Sequence, residues 1–229
     1  MWIVPLAAAG VAFVFALALF RRFRHARRSY LALWAVALLM YAGASTAVAL
    51  GSASGWTAAE FRVYWALGAV LNVPFLAQGE LDLLIARRSI RWALYVLLTF
   101  LTAYTIAVVR TADVDAAALT QSLPSGKEVF GDGTAAHRLP QLIAIPAYVV
   151  LIAGALWSAW RMRGRPDLRD RFWGTLLIAL GATVIAGFGS AFAALGYLLP
   201  FSLSLLAGIA VMFGGFIRAS RRAIPALRP

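Results

Sequence analysis

The chain has 229 residues, 62% of them apolar, with a formal net charge of +12 and no cysteine, and its mean hydropathy is +0.82. Soluble domains are about half apolar, so a water-soluble globular fold is excluded, and the missing cysteines exclude disulfides, thiolate metal sites and thiol nucleophiles. The positive charge does not point to nucleic acid, whose recognition needs a soluble basic face, because the arginines here stand beside apolar runs.

Taken in order, residues 2–20, 30–50, 61–86, 92–109, 139–160, 172–193 and 197–217 are apolar runs near the ~20 residues that a helix needs to cross hydrocarbon. Helices are the only plausible state, since backbone groups in lipid must be satisfied within the segment, and the period-2 alternation of a membrane barrel is absent. The expected fold is therefore all-α, a polytopic membrane bundle of seven transmembrane helices forming a single domain over residues 1–229. The first run has no basic residues before it and Arg21, Arg22 and Arg24 after it, so it reads as an anchor rather than a cleaved signal.

Seventeen of the twenty-one basic residues lie in four clusters: Arg21, Arg22, Arg24, Arg27 and Arg28; Arg87, Arg88 and Arg91; Arg161, Arg163, Arg165, Arg169 and Arg171; and Arg218, Arg221, Arg222 and Arg228. Placing all four inside makes every span alternate, with the N-terminus outside and the C-terminus in the cytoplasm. Only Arg62, Arg110, Lys127 and Arg138 remain outside. The expected location is the inner or plasma membrane, and anionic lipid is the expected partner of the inner arginines. Tyr30, Trp34, Trp56, Tyr64, Trp65, Trp92, Trp160 and Tyr197 fall near span ends, as aromatic belts do. The boundary with least room is Ala194-Leu195-Gly196, where a very short turn must separate the last two spans.

The longest loop, residues 110–138, carries Asp113, Asp115, Glu128 and Asp132 between turn formers. It is compatible with an ordered flap or with a mobile cap. Ser125-Gly126-Lys127-Glu128 is no phosphate loop, lacking the first glycine and the hydroxyl after lysine, and the acidic spacing is not that of a calcium loop.

Several features recur about 140 residues apart: Pro5 and Pro146, Arg21 and Arg161, Trp34 and Trp173, Gly43 and Gly181, Gly68 and Gly208. The recurrence suggests a 3+1+3 parallel repeat, residues 1–91 and 139–222 joined by the fourth span, an arrangement found in transporter folds; chance recurrence in apolar helices is the alternative. Pro140-Gln141, opening the fifth span, resembles half of the signature of the PQ-loop and SWEET group, which shares that architecture. The equivalent Val4-Pro5-Leu6 has no glutamine, so the paired motif is not met. Seven outside-first helices are also similar to microbial rhodopsins, yet residues 197–217 contain no lysine for a retinal Schiff base. The stretches over residues 61–68, 154–160 and 213–216 resemble uncharacterised bacterial seven-helix membrane proteins, a resemblance that implies the fold and no activity.

Chemistry concentrates in the third span. Ionisable groups inside a span are costly and are functional candidates by default; here they are Glu80 and Asp82, with Glu60 and Arg62 at the outer mouth. Asn72 and Gln78 add polarity, and Pro74 removes a backbone hydrogen bond. At ~100° per residue, Glu80 and Asp82 point to different sides, so they are no shared-proton pair. Gln78 and Asp82 are i,i+4 neighbours. Arg62 and Glu80 share a stripe but lie about 27 Å apart.

Two readings of the carboxylates stand side by side. Glu80 and Asp82 neutralise inner-loop arginines, or they bind a proton or cation in a cavity open to the cytoplasm, with Asn72, Gln78, Arg62, Tyr64 and Trp65 lining the route. No catalytic set is legible: Gly187-Phe188-Gly189-Ser190 has no histidine within a span, and His25 and His137 lie on opposite sides of the membrane. Neither an enzyme nor a cofactor or metal site is expected. Thr183, Gly187 and Ala191, with Ala182, Ala186 and Ser190, read as helix-packing ridges, and Pro74, Pro146 and Pro200 as kinks. The expected function is a small-solute or ion transporter using the third-span carboxylates. The alternative is a non-catalytic sensor or accessory subunit that binds a ligand or a membrane-protein partner through the outer loop or the bundle.

Overall fold

The structure is a computed structural model, and it describes residues 1–220. Arg221, Arg222 and Arg228 of the fourth basic cluster, and the last two residues of the second repeat, lie outside the described residues. Among the described residues all regular structure is helical. Six helices are long and apolar enough to cross a membrane, which marks the chain as a multi-pass membrane protein: α1 (Ile3–Ala26), α2 (Ser29–Ser54), α4 (Arg88–Thr111), α5 (Ala135–Met162), α6 (Pro166–Ala194) and α7 (Leu198–Ala219). Between α2 and α4 runs α3, an unbroken helical stretch over residues 58–84 made of Ala58–Val63, Tyr64–Leu71 and Asn72–Leu84. At ~1.5 Å per residue it extends about 40 Å. It stands apart from the six because Asn72, Gln78, Glu80 and Asp82 interrupt its apolar character.

The helix ends follow local chemistry. Arg27 takes a left-handed conformation (φ 50°) as it closes α1, and its N–H reaches the Phe23 carbonyl at 2.8 Å. The Thr57 side chain accepts from the Glu60 N–H while the Glu60 carboxylate accepts from the Thr57 N–H, a reciprocal cap that starts α3. The tight turn between α6 and α7 is real. Gly196 has φ +69°, and the Tyr197 N–H reaches back to the Phe192 carbonyl at 3.0 Å. That six-to-one bond ends a helix where only glycine fits without strain.

Three stretches widen into π-helix: Tyr64–Leu71, Pro140–Ala144 and Val184–Gly189. The first two lie just ahead of Pro74 and Pro146. A wider turn there moves the preceding carbonyls away from the pyrrolidine ring, where an α-turn would clash. Pro200 does not kink a span. It sits in the first turn of α7, where a missing N–H leaves nothing unsatisfied.

The helices pack as a ring. α1 lies against α2 and α7, α2 against α3, α3 against α5, α5 against α6, and α6 against α7. α4 stands outside this ring, on α3 and the start of α5, with Val96, Leu97, Phe100 and Ile106 exposed toward the lipid side. The basic turns after α1, α3 and α5 gather at one end: Arg22 donates to the Ser220 hydroxyl at 2.7 Å, and Arg218 pairs with Asp170 at 3.3 Å. The segment between α4 and α5 covers the opposite end.

Close approach of α6 and α7 rests on two glycine pairs. A Cβ on Gly174 would lie 2.6 Å from the Gly215 carbonyl oxygen, and one on Gly181 would meet the Gly208 carbonyl. Both pairs repeat every seven residues, which keeps them on one seam of each helix. The ridges expected here are displaced from that seam: Ala182 is buried, but Thr183, Gly187, Ser190 and Ala191 are exposed. We expect Gly181→Val and Gly208→Val each to destabilise the protein by about 1–3 kcal/mol through overpacking. Gly187→Ala, which meets open space, should leave the thermal unfolding midpoint in detergent unchanged. Equal melting of all three variants would refute the seam.

Candidate functional site

The polar residues of α3 are held by different neighbours, and glycine makes the room. Gly79 receives the Trp34 indole of α2, whose Nε1 donates to the Leu76 carbonyl at 3.0 Å. On the α5 side Gly154 lies so close to Glu80 that a Cβ there would be 2.6 Å from the Glu80 Cγ. Glu80 is only 5% exposed. Its Oε1 accepts from the Ser158 hydroxyl of α5 at 3.0 Å.

Asp82 points elsewhere, as the helical spacing requires. Its Oδ2 accepts from the Ser29 hydroxyl at the start of α2 and from the Tyr95 hydroxyl of α4, both at 2.5 Å, and its Oδ1 accepts from Gln78 at 3.2 Å. The Gln78–Asp82 bond is the i,i+4 contact that the spacing predicts. Three neutral donors therefore surround one half-buried carboxylate at the arginine-rich end. Among the described residues, no arginine, lysine or histidine lies within 4.0 Å of either carboxylate; the acidic partners of such pairs are Asp132, Asp167 and Asp170. The reading in which Glu80 and Asp82 neutralise arginines therefore finds no contact there.

Nearer the middle of α3, Asn72 is 5% exposed and its Oδ1 has no hydrogen-bond partner. It lies one turn beyond Gly68, which packs on Ala44, and two turns before Gly79, which packs on Trp34. This register sets Asn72 toward α2 at about the level of Tyr41. The Tyr41 hydroxyl donates to the Leu205 carbonyl of α7 at 2.9 Å. Ser45 and Ser202 are buried close by in sequence register, and the Ser202 hydroxyl is also without a partner. The Tyr41–Leu205 bond thus ties α2 to α7 in the interior. Buried polar atoms without a partner are ordinarily satisfied by ordered water or a bound polar group.

Arg62, Tyr64 and Trp65 lie at the far end, where Arg62 and Trp65 hold the covering segment. Arg62 donates through Nε to the Val109 carbonyl at 3.1 Å and through Nη2 to the Ala112 carbonyl at 2.8 Å. It thereby satisfies carbonyls that the end of α4 leaves open. Trp65 Nε1 donates to the Ala136 carbonyl at 2.9 Å and Trp56 Nε1 to the Ser122 carbonyl at 3.2 Å. The Trp65 ring packs directly on Gly126. Tyr64 is buried among Trp56, Phe61 and Phe201. Trp56 and Tyr64 are thus core residues of this end rather than members of an exposed belt.

The covering segment is folded, in keeping with the ordered flap. Its own Leu123, Val129 and Phe130 are buried. Arg62 and Glu80 do not share a stripe in the structure. The wider π-turns over Tyr64–Leu71 advance each residue by less than an α-turn does, so the lag rotates Arg62 toward α4 and leaves Glu80 toward α5.

Several of these contacts were invisible in the sequence. Ser29, Tyr95 and Ser158 hold the two carboxylates, yet isolated hydroxyls in apolar helices more often bond back one turn, as Thr46, Thr99 and Thr102 do. No family model, curated protein or solved structure matches the chain.

One titration follows from the cover. The Ser125 hydroxyl first, then Gln121, hold the Glu128 carboxyl below its usual range. A lowered folded value means that the carboxylate helps folding above the unfolded value of about 4.3 and that this help fades as the pH falls through the folded value. We expect proteolysis within residues 112–134 to rise on acidification below about pH 4, and Glu128→Gln to raise it already at neutral pH. A cleavage rate independent of both would refute the assignment.

Proposed function

We propose that the protein is a small-solute or ion transporter in which α3 forms a further membrane crossing and Glu80 carries a coupling proton or cation. The observation behind this reading is the isolation of Glu80: a carboxyl inside the bundle with one serine donor and no described cationic neighbour. An uncompensated charge in that setting costs several kcal/mol, so the group is neutral or neutralised by what it binds. A structural acid would be expected to pair with one of the many arginines nearby. In this reading Asp82, half-buried at the arginine-rich end on the α2 and α4 side of the helix, lies nearer the aqueous phase than Glu80, and the unpartnered Asn72 and Ser202 atoms are where a hydrogen-bonding solute or water would lie.

The seven-span topology draws support from the contacts. α2 ends beside the covering segment, where Trp56 meets Ser122, and α4 begins at the arginine-rich end. α3 runs between those two ends, from the Trp65–Ala136 bond to the Ser29–Asp82 bond. The ring of neighbours is unchanged when α1, α2 and α3 are exchanged with α5, α6 and α7, which supports the parallel repeat. With the arginine-rich end in the cytoplasm, the N-terminus and the cover lie outside. A receptor-like or accessory role is the second reading, favoured by the folded cover that Arg62 and Trp65 fasten over the outer end.

Two measurements test these statements separately. The chain has no cysteine, so single cysteines replacing Asp132 and Asp167 report topology without background. In intact cells an impermeant maleimide should label the first and spare the second; the reverse pattern would overturn the orientation. In proteoliposomes carrying a pH-sensitive dye and screened against small solutes, wild type should move protons or solute in a pH-dependent manner, and Glu80→Gln should lower that flux by about two orders of magnitude, as for loss of an essential proton carrier. Unaltered flux in Glu80→Gln would remove Glu80 from the mechanism. Absence of any flux, with a second membrane protein copurifying in equal amount, would favour the accessory reading.

A further inference from the structure

The turn that joins α5 to α6 encloses a cleft of about 390 Å³ at the arginine-rich end. Gly164 (φ +75°) reverses the chain there and Pro166 opens the next turn. The cleft is lined by Met162, Arg163, Arg165, Arg169, Phe172 and Trp173, so guanidinium groups stand against an apolar and aromatic wall.

The nearby acids are already engaged. Asp167 pairs with Arg165 at 3.4 Å and Asp170 with Arg218 at 3.3 Å. Among the described residues, Arg163 and Arg169 have no acidic partner within 4.0 Å. The second basic cleft, around Arg21, Arg22 and His25, differs in this respect. Its Arg22 is committed to the Ser220 hydroxyl at 2.7 Å and lies 5.0 Å from the centre of the Phe216 ring.

Trp173 is 45% exposed and Trp160 62%, and Trp160 packs on Trp157 with ring centres 5.1 Å apart. Two unpaired guanidiniums favour a phosphate, which they can grip through paired N–H donors. Exposed indoles, Trp173 in the cleft wall and Trp160 one turn before Arg163, suit the glycerol and acyl chains attached to it. A free phosphate would use only the first of these features.

We infer that the cleft between α5 and α6 holds the phosphate headgroup of an anionic phospholipid, gripped by Arg163 and Arg169, with its chains lying along Trp173 and Trp160. This site is independent of Glu80 and of any flux. Its test is native mass spectrometry and thermal unfolding of the purified protein in detergent, with dioleoylphosphatidylglycerol, dioleoylphosphatidylcholine or inorganic phosphate added.

Wild type should bind and be stabilised by phosphatidylglycerol, and by neither of the others at equal concentration. Arg163→Ala and Arg169→Ala together should weaken that binding by about tenfold, as expected for loss of two headgroup-facing arginines, and each alone by a smaller factor. Arg24→Ala, outside the cleft, should leave it unchanged. Equal stabilisation by inorganic phosphate would overturn the lipid assignment. Undiminished lipid binding in the double variant, or an equal loss in Arg24→Ala, would show diffuse attraction to the basic end and overturn the site. If the double variant does not fold, the lipid comparison on wild type and the two single variants still decide the outcome.

Discussion

Keeping the polar side chains of α3 away from hydrocarbon is the constraint on which the arrangement depends. Asn72, Gln78 and Glu80 are all buried, and none could face lipid without a large penalty. α3 accordingly has α2, α4 and α5 around it. Its own backbone helps: Gly68 and Gly79 let α2 approach to the distance at which Trp34 can donate to the Leu76 carbonyl. Gly154 does the same on α5, bringing Ser158 within reach of Glu80.

Carboxylates two residues apart thereby acquire different environments. Asp82 sits in a ring of three neutral donors close to the aqueous boundary. Glu80 has one donor and lies deeper against α5. The difference comes from which helix each group meets, not from the residues themselves, since both are ordinary carboxylic acids two positions apart. The proposed transport reading rests on this difference between two acids of one helix.

The two ends of the bundle are built from different materials. At the covered end, aromatic rings and indole N–H groups do the fastening: Trp56, Phe61, Tyr64, Trp65 and Phe130 interlock, and Arg62 closes the last turn of α4. At the other end, arginines outnumber acids, and Asp167 and Asp170 are consumed in local pairs. An indole shared between apolar packing and one carbonyl makes a rigid joint. Surplus guanidinium makes an anion-seeking one, and the lipid site proposed between α5 and α6 draws on that surplus.

Membrane residence, helical class, the approximate limits of each long helix and the concentration of carboxyl and amide side chains on the third of them were all legible in the amino-acid order, because hydropathy and helical spacing are local properties. The i,i+4 bond between Gln78 and Asp82 and the divergence of Glu80 from Asp82 were legible for the same reason. The tertiary structure alone decided that Arg62 and Trp65 fasten the cover, because their partners are carbonyls from distant segments. It alone decided that α6 and α7 meet through Gly174, Gly181, Gly208 and Gly215 and not along the alanine and serine ridges, since a small residue shows where helices could approach and not which neighbour does. It alone turned Arg62 away from Glu80, through π-turns that a uniform 100° wheel does not contain. Which helix stands opposite a side chain is set by the packing of the whole bundle, and no local stretch of sequence carries that information.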